Sequence, residues 1–292
     1  MMDQQIINLY DRFTHGGMHR RDFMDQLTTL AGGTAAATAA LTTLQSNYAL
    51  AQMVPENDPR LKIETVSFGS GSSAVNGYLA RPADAMKRPV ILVIHENRGL
   101  NPHIKDVTRR MALAGFVAFG ADYLTSLGGT PADEDKARDM FGSLKAPDVV
   151  ANSRTVLAGL KGRSDATGKV GAIGFCWGGG QVNALAVADP TLDAGVAYYG
   201  VQPKAEDVAA IKAPLMLHYA GLDDRINAGI PAYEAALKQG GKTYEIFVYP
   251  NVNHAFNNDT GGARYDKPAA DLAWSRTLGF LKKNLGDAPA AG

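Results

Sequence analysis

The sequence predicts an α/β protein in which helices cover both faces of a mainly parallel sheet. Short apolar runs recur along the 292 residues, and segments of helical character separate them. Because these runs lack a polar alternation, they are typical of strands that are buried on both faces. The predicted central strands span residues 90–94, 117–119, 170–175, 194–199 and 215–219.

An antiparallel hairpin is predicted at the N-terminal edge of this sheet. Residues 63–68 and 75–81 mix polar and apolar side chains on either side of a glycine- and serine-rich stretch. The irregular segment 123–142 is interpreted as a loop or lid at the rim of the site. Loops at the carboxyl ends of parallel strands form the functional site in such a sheet. Helices are predicted at 104–114, 148–160, 181–188 and 231–239, and a last helix near 269–285 closes the sheet.

The only cysteine of the chain, Cys176, directly follows the predicted strand 170–175 and stands between Gly174 and Gly178. A nucleophile framed in this way lies on a sharp strand-to-helix turn, where larger side chains at the glycine positions would collide with the turn. The N–H groups and the positive dipole end of the following helix stabilise a thiolate. A lone cysteine more often packs as a small apolar residue, but the glycine frame favours Cys176 as a nucleophile.

An acid and a histidine follow the cysteine in the chain order of an α/β-hydrolase triad. Asp223 comes just after the predicted strand 215–219, and His254 lies in the loop after an apolar run at 244–250. The imidazole of His254 is suited to take the thiol proton, and a carboxylate on its other nitrogen fixes the tautomer. Asp224 remains the alternative to Asp223, and a solvated loop histidine remains the alternative interpretation of His254.

These motifs resemble the signature blocks of the dienelactone hydrolase family. The blocks lie at residues 174–179, 218–223 and 253–256, and a fourth at 93–100 has a glutamate after the first core strand. The resemblance covers roughly residues 60–285. It implies the α/β-hydrolase fold and cofactor-independent hydrolysis of small carboxylic esters or lactones, of the carboxymethylenebutenolidase type.

The resemblance also implies roles for individual residues. Cys176 is the nucleophile, Asp223 the acid and His254 the base. Glu96 is the carboxylate beside the thiol, where its charge is expected to raise the thiol pKa until substrate binds. The backbone N–H groups of Asn97 and Trp177 form the oxyanion hole.

Two positions qualify the resemblance. Ala255 stands where the family more often has glycine, and the arginine that binds a substrate carboxylate has no certain counterpart. Arg98 and Arg264 are the candidates for that arginine, so the substrate itself stays open.

Composition and missing motifs exclude several other functions. Lys plus Arg and Asp plus Glu balance at 29 each, which argues against a nucleic-acid surface or a polybasic membrane patch. No metal site is predicted, because Gly99 stands where a zinc-protease motif starting at His95 needs its second histidine. The dinucleotide fingerprint is absent after the first core strand, so no nicotinamide cofactor is expected.

The N-terminal residues 1–51 are typical of a twin-arginine export signal. Arg20 and Arg21 precede an uncharged stretch that extends to residue 55, and the small-x-small pattern at 49–51 predicts a mature chain of residues 52–292. The stretch is too weakly apolar to favour a permanent membrane span. We therefore expect export to the periplasm by the twin-arginine machinery. The alternative is an ordinary N-terminal tail on a cytoplasmic protein.

The sequence as a whole thus predicts a hydrolase that cleaves small esters or lactones through a thioester on its cysteine. Two alternatives use the same site, namely a thioesterase and a general carboxylesterase. A third, of another class, is a noncatalytic protein that keeps the pocket and binds small molecules. Ring size, acyl group and oligomeric state are not encoded in any motif of the chain.

Overall fold

The structure is a computed structural model that describes residues 2–16, 18–45, 47, 52–287 and 289–292. The strands of its sheet are β1 (Leu61–Phe68), β2 (Val75–Pro82), β3 (Arg88–Ile94), β4 (Val117–Asp122), β5 (Ala166–Phe175), β6 (Ala194–Tyr198), β7 (Leu215–Ala220) and β8 (Tyr244–Tyr249). Their order across the sheet is β1-β2-β4-β3-β5-β6-β7-β8. β2 pairs antiparallel with β1 and β4, and the other pairs are parallel. The predicted fold, with its antiparallel N-terminal edge, is confirmed.

Helices lie on both faces of the sheet and bury its side chains in two apolar clusters. Leu92 of β3 packs into one cluster and Ile91 into the other, because successive side chains of a strand point to opposite faces. This burial on both sides explains why the central strands are unbroken apolar runs. One cluster includes side chains of α6 (Ala146–Lys161), α7 (Trp177–Ala188) and α9 (Ile230–Gln239), and the other includes those of α4 (Pro102–Leu113) and α10 (Lys267–Leu285).

The rim segment 123–142, interpreted as a loop or lid, contains the helix α5 (Glu134–Phe141). The Asp133 side chain caps this helix by accepting a hydrogen bond from the Lys136 N–H, and acidic residues occupy the first turn. The glycines and proline at 128–131 obscured this start signal in the sequence. The Phe141 ring packs edge-on against Trp177, with centroids 4.8 Å apart, so α5 forms one wall beside the nucleophile.

In the described residues before the sheet there are three α-helices: α1 (Gln4–Thr14), α2 (Arg20–Ala31) and α3 (Thr34–Leu44). They bury their apolar side chains in a cluster of their own, in which the rings of Phe13 and Phe23 stack with centroids 4.3 Å apart.

These helices cover most of the predicted export signal, whereas the predicted cleavage site at 49–51 lies outside the described residues. Export therefore stays a prediction. No helix in the described part of the chain is long and apolar enough to cross a membrane.

Candidate active site

The strand-to-helix turn between β5 and α7 holds Cys176 in a strained conformation, with φ 55° and ψ −116°. Its N–H donates a hydrogen bond to the Tyr198 carbonyl at 3.0 Å, which ties the turn to β6. A Cβ atom at Gly174 would collide with the Gly178 carbonyl, and one at Gly178 would collide with the Ile94 carbonyl. The backbone crowding that the glycine frame predicts is therefore present.

Asp223 and His254 meet at the carboxyl ends of β7 and β8. The Nδ1 atom of His254 lies 2.5 Å from Oδ2 of Asp223, and both side chains are buried. Because a carboxylate oxygen can only accept, Nδ1 carries a proton and Nε2 remains for acid–base chemistry. Asp224 is exposed and starts the short helix α8 (Asp224–Asn227), so the structure pairs Asp223 with the histidine.

The residue after this histidine, where the family more often has glycine, has an unusual backbone conformation. Ala255 has a φ of 66°, in the left-handed region that glycine adopts without strain. Alanine therefore adopts this conformation at some cost in backbone strain, which glycine would avoid.

The sulfur of Cys176 has a neighbour that the sequence analysis missed. Nε2 of His15, in the residue after α1, lies 3.1 Å from Sγ. A ring nitrogen of His254 lies within 4.8 Å of the same sulfur. A sequence signal was available, because apolar residues at positions 6, 7, 9, 10 and 13 mark one face of an amphipathic helix. Interpreting residues 1–51 as a signal peptide removed His15 from consideration.

The charges around the sulfur favour its ionised form. Burial acts to raise the pKa of the Cys176 thiol, but the charges of His15 and His254 lower it to about 6. Burial acts to lower the pKa of His15, but the charge of Cys176 and the hydrogen bond to Asp11 raise it to about 9. Burial likewise opposes the charged form of His254, yet Cys176, Asp223 and Asp11 hold its pKa well above the usual range.

Glu96 is buried near the site, and both carboxylate oxygens accept hydrogen bonds. Asn258 donates through Nδ2 at 2.9 Å, and the Tyr199 hydroxyl donates at 3.4 Å. From the sequence, the Glu96 charge is expected to raise the thiol pKa. The net shift of the thiol is in the opposite direction, because the two imidazoles next to the sulfur outweigh burial.

The site opens into a cavity of about 500 Å³ whose lining includes Cys176, His254, Asn97 and Trp177. Trp177 is the first residue of α7, where a backbone N–H has no partner within the helix. Its ring stacks on His95 with an interplanar angle of 13°, which fixes this wall. Both residues expected to form the oxyanion hole therefore line the same cavity as the nucleophile.

The two candidate arginines lie around a smaller adjoining recess of about 20 Å³ that also includes Glu96 and Cys176. Nη1 of Arg98 donates to the carbonyl of Asn97 at 3.3 Å, and its Nε lies 3.6 Å from Glu134. Arg264 is buried, stacks over the Tyr10 ring, and has an Nε without a hydrogen-bond partner in the described residues. Arg264 thus offers an unused donor beside the site.

One set of side chains in the described part of the chain has the spacing of metal ligands. The nitrogen and sulfur atoms of His15, Cys176 and His254 lie within 4.8 Å of one another. Two of the three groups, Cys176 and His254, are those expected to carry protons in hydrolysis.

Comparison with protein families agrees with this geometry. Residues 75–285 match the family model described as Dienelactone hydrolase family. Residues 2–32, which include His15, match a second model described as YqhI-like.

Individual relatives and structures show the same likeness. The chain is 34% identical over 225 residues to a "Putative carboxymethylenebutenolidase" of Methylorubrum extorquens, a match that covers 72% of this chain and 77% of that protein. It is 47% identical over 100 residues to the "Putative hydrolase fragment YghX" of Escherichia coli, covering 33% of this chain and 86% of that one. Among solved structures it is similar to a "Putative Dienelactone Hydrolase" from Klebsiella pneumoniae, with TM-score 0.70 and 27% identity over 76% of this chain and 99% of that chain.

Proposed function

Because this chain belongs to the dienelactone hydrolase family and is a hydrolase of the carboxymethylenebutenolidase type, we propose that it cleaves small esters or lactones through a thioester on Cys176. The observation that carries this proposal is the position of Cys176 on the strained turn, beside the buried Asp223–His254 pair. A free cysteine packed for stability alone needs neither the turn nor the pair.

The reaction begins with attack of the Cys176 thiolate on the substrate carbonyl, which forms a C–S bond and an oxyanion. The N–H groups of Asn97 and Trp177 stabilise that oxyanion. When the C–O bond of the ester or lactone breaks, the leaving oxygen takes a proton from the His254 imidazolium.

Hydrolysis of the thioester completes the cycle. Water attacks the thioester carbonyl and gives a proton to the now neutral Nε2 of His254. The C–S bond then breaks, which releases the carboxylic acid and restores the thiolate. Asp223 keeps the His254 tautomer correct in both halves of the reaction.

The two arginines in the recess beside the nucleophile favour substrates that carry a carboxylate in addition to the ester or lactone group. Arg264 has a free Nε there, and Arg98 reaches the same recess. Guanidinium groups bind carboxylates with paired N–H donors. We therefore assign an acidic lactone, with its ring carbonyl at Cys176, as the preferred substrate class.

A substrate panel tests this function. Wild-type protein is offered an acidic enol-lactone, a neutral aryl ester and an acyl thioester, and kcat/KM is measured for each. We expect the acidic lactone to give the highest kcat/KM, and Arg264→Gln to raise KM for that substrate alone. Preference for the aryl ester or the thioester would make the protein a general carboxylesterase or a thioesterase. Binding without turnover of any substrate would make it a noncatalytic protein.

A further inference from the structure

We propose that His15 is a second histidine of the catalytic site, supplied by the N-terminal helices, and that its Nε2 takes and holds the proton of the Cys176 thiol. This inference rests on the proposed role of Cys176 as nucleophile. It extends the site to a segment of the chain that lies outside the residues matching the Dienelactone hydrolase family model.

The hydrogen bonds of His15 determine which ring nitrogen carries the proton and which one can act as a base toward the sulfur. Its Nδ1 lies 2.7 Å from the Asp11 carbonyl oxygen and 3.1 Å from Asp11 Oδ1, and both oxygens can only accept a hydrogen bond. The Thr14 hydroxyl, 3.3 Å from Nδ1, gives its own proton to the same carbonyl. Nδ1 must therefore carry the ring proton. The lone pair of Nε2 is left facing Sγ of Cys176 at 3.1 Å.

This arrangement repeats the one at His254. In both cases an aspartate holds Nδ1 and the opposite nitrogen faces the nucleophile region. The two rings stand edge to face, with centroids 4.7 Å apart and an interplanar angle of 82°. The difference lies in the distance to sulfur: Nε2 of His15 is 3.1 Å from Sγ, within hydrogen-bond reach, whereas a ring nitrogen of His254 lies within 4.8 Å of it.

The position of His15 is built by several contacts between α1 and the loops of the site. Asn97 donates through Nδ2 to the Thr14 carbonyl at 2.7 Å, so the oxyanion-hole loop touches the end of α1. At the other end of α1, Gln4 donates to the Asn253 side chain at 2.6 Å, next to His254. Aromatic side chains of the helix also lie under cations of the rim and recess, Phe13 under Arg138 and Tyr10 under Arg264.

Two histidines divide the proton transfers of the reaction. The thiol proton goes to Nε2 of His15, and the resulting imidazolium stays beside the sulfur. The proton on His254 is then free to go to the leaving oxygen, and neutral His254 later receives a proton from water. When the C–S bond breaks, the departing thiolate again meets the positive His15, so sulfur leaves without needing a proton.

The charges that face His15 come from several elements. Asp11 lies on its own helix, Cys176 on the turn and His254 on the loop after β8. Arg138 and Arg225 line the cavity, and the recess brings Glu96, Arg98, Glu134 and Arg264. Arg225 Nε lies 3.5 Å from Asp11 and partly shares that carboxylate. Of these groups, the Cys176 sulfur is the one that Nε2 of His15 contacts by a hydrogen bond.

The test compares His15→Ala with His19→Ala in the full-length chain. His19 is an exposed residue of the same segment and provides a matched control. Alkylation of Cys176 by iodoacetamide is followed against pH, and so is ester hydrolysis. Loss of the His15 charge raises the thiol pKa, so we expect His15→Ala to slow alkylation at pH 7 by about tenfold or more. Both pH profiles should move to higher pH, and added imidazole should restore part of the rate. His19→Ala should match the wild type.

A second variant controls for the possibility that His15→Ala acts by disturbing the contacts of α1. Asp11→Asn keeps the shape of α1 but removes the charge that supports the His15 imidazolium, so it should shift the alkylation profile in the same direction by a smaller amount. Unchanged profiles in both variants would overturn the role of His15. So would a slow alkylation of His15→Ala that persists at pH 10, where the thiol ionises without help. If Cys176→Ala kept its hydrolysis, the proposed function would fail instead, whatever the His15 result.

Discussion

At the scale of single residues, Cys176 combines backbone strain with an unusual set of charges. The strained backbone of a non-glycine residue at φ 55° costs about 1–3 kcal/mol. The hydrogen bond to Tyr198 and the packing of α7 stabilise this conformation. Its sulfur lies next to two imidazoles, and the Nδ1 atom of each imidazole contacts an aspartate carboxylate. The strained turn places the sulfur in the lining of the cavity, and the imidazoles favour its ionised form.

The role of Asp223 leads to a residue-level prediction. Asp223→Asn keeps the shape of the side chain but stabilises the wrong His254 tautomer, so kcat should fall by about 10²- to 10⁴-fold. Asp224→Asn is the matched control, because its neighbouring carboxylate is exposed and begins α8. Hydrolysis of an aryl ester measures both variants, with circular dichroism to check the fold. Equal losses in the two variants would contradict the assignment of Asp223.

At the scale of elements, the turn between β5 and α7 gives a prediction about stability. A methyl group at Gly178 would overlap the Ile94 carbonyl of β3, so Gly178→Ala should lower the free energy of unfolding by about 1–3 kcal/mol. Gly279 lies in α10 with open space around it, and Gly279→Ala should raise the free energy of unfolding by about 0.5–1 kcal/mol. Thermal unfolding compares them. A Gly178→Ala variant as stable as Gly279→Ala would refute the crowding at this turn.

The elements also show what the sequence could predict and why. The central strands could be predicted from the sequence because burial on both faces makes each of them an apolar run. Cys176 could be predicted as the nucleophile because a nucleophile turn requires glycine on both sides. The role of His15 could not be predicted from a local motif of this kind. Its role depends on where α1 docks, and contacts such as Gln4 to Asn253 join residues 249 positions apart. Helix α5 was hidden because its Asp133 cap follows glycines and a proline that are typical of loops.

For the molecule as a whole, the charges of the Cys176 thiolate and the His15 imidazolium predict how activity depends on pH. The thiolate forms as pH rises through the Cys176 pKa of about 6, and the His15 imidazolium is lost as pH rises through about 9. The reactive pair therefore exists between these values. We expect kcat/KM against pH to be bell-shaped, with limbs near pH 6 and pH 9. A profile that keeps rising through pH 9 would show that no imidazolium is needed.

Export is a second prediction at this scale. A receptor distinguishes twin arginines from other positive charges, so replacing Arg20 and Arg21 together by Lys should leave an unprocessed chain in the cytoplasm. Fractionation followed by N-terminal sequencing measures this. A chain starting at Gln52 in the periplasm of the double variant would refute the signal. Cleavage after Ala51 would also remove His15, so the full-length and processed forms should differ in thiol pKa.

The role of Cys176 as nucleophile is tested by the rate at which purified Cys176→Ala hydrolyses an ester or lactone. Alanine fits the turn, so the fold should remain intact while only the sulfur is lost. We predict that turnover falls by about 10³-fold or more, as expected when the nucleophile of a triad is removed. Turnover close to that of the wild type would contradict the covalent mechanism.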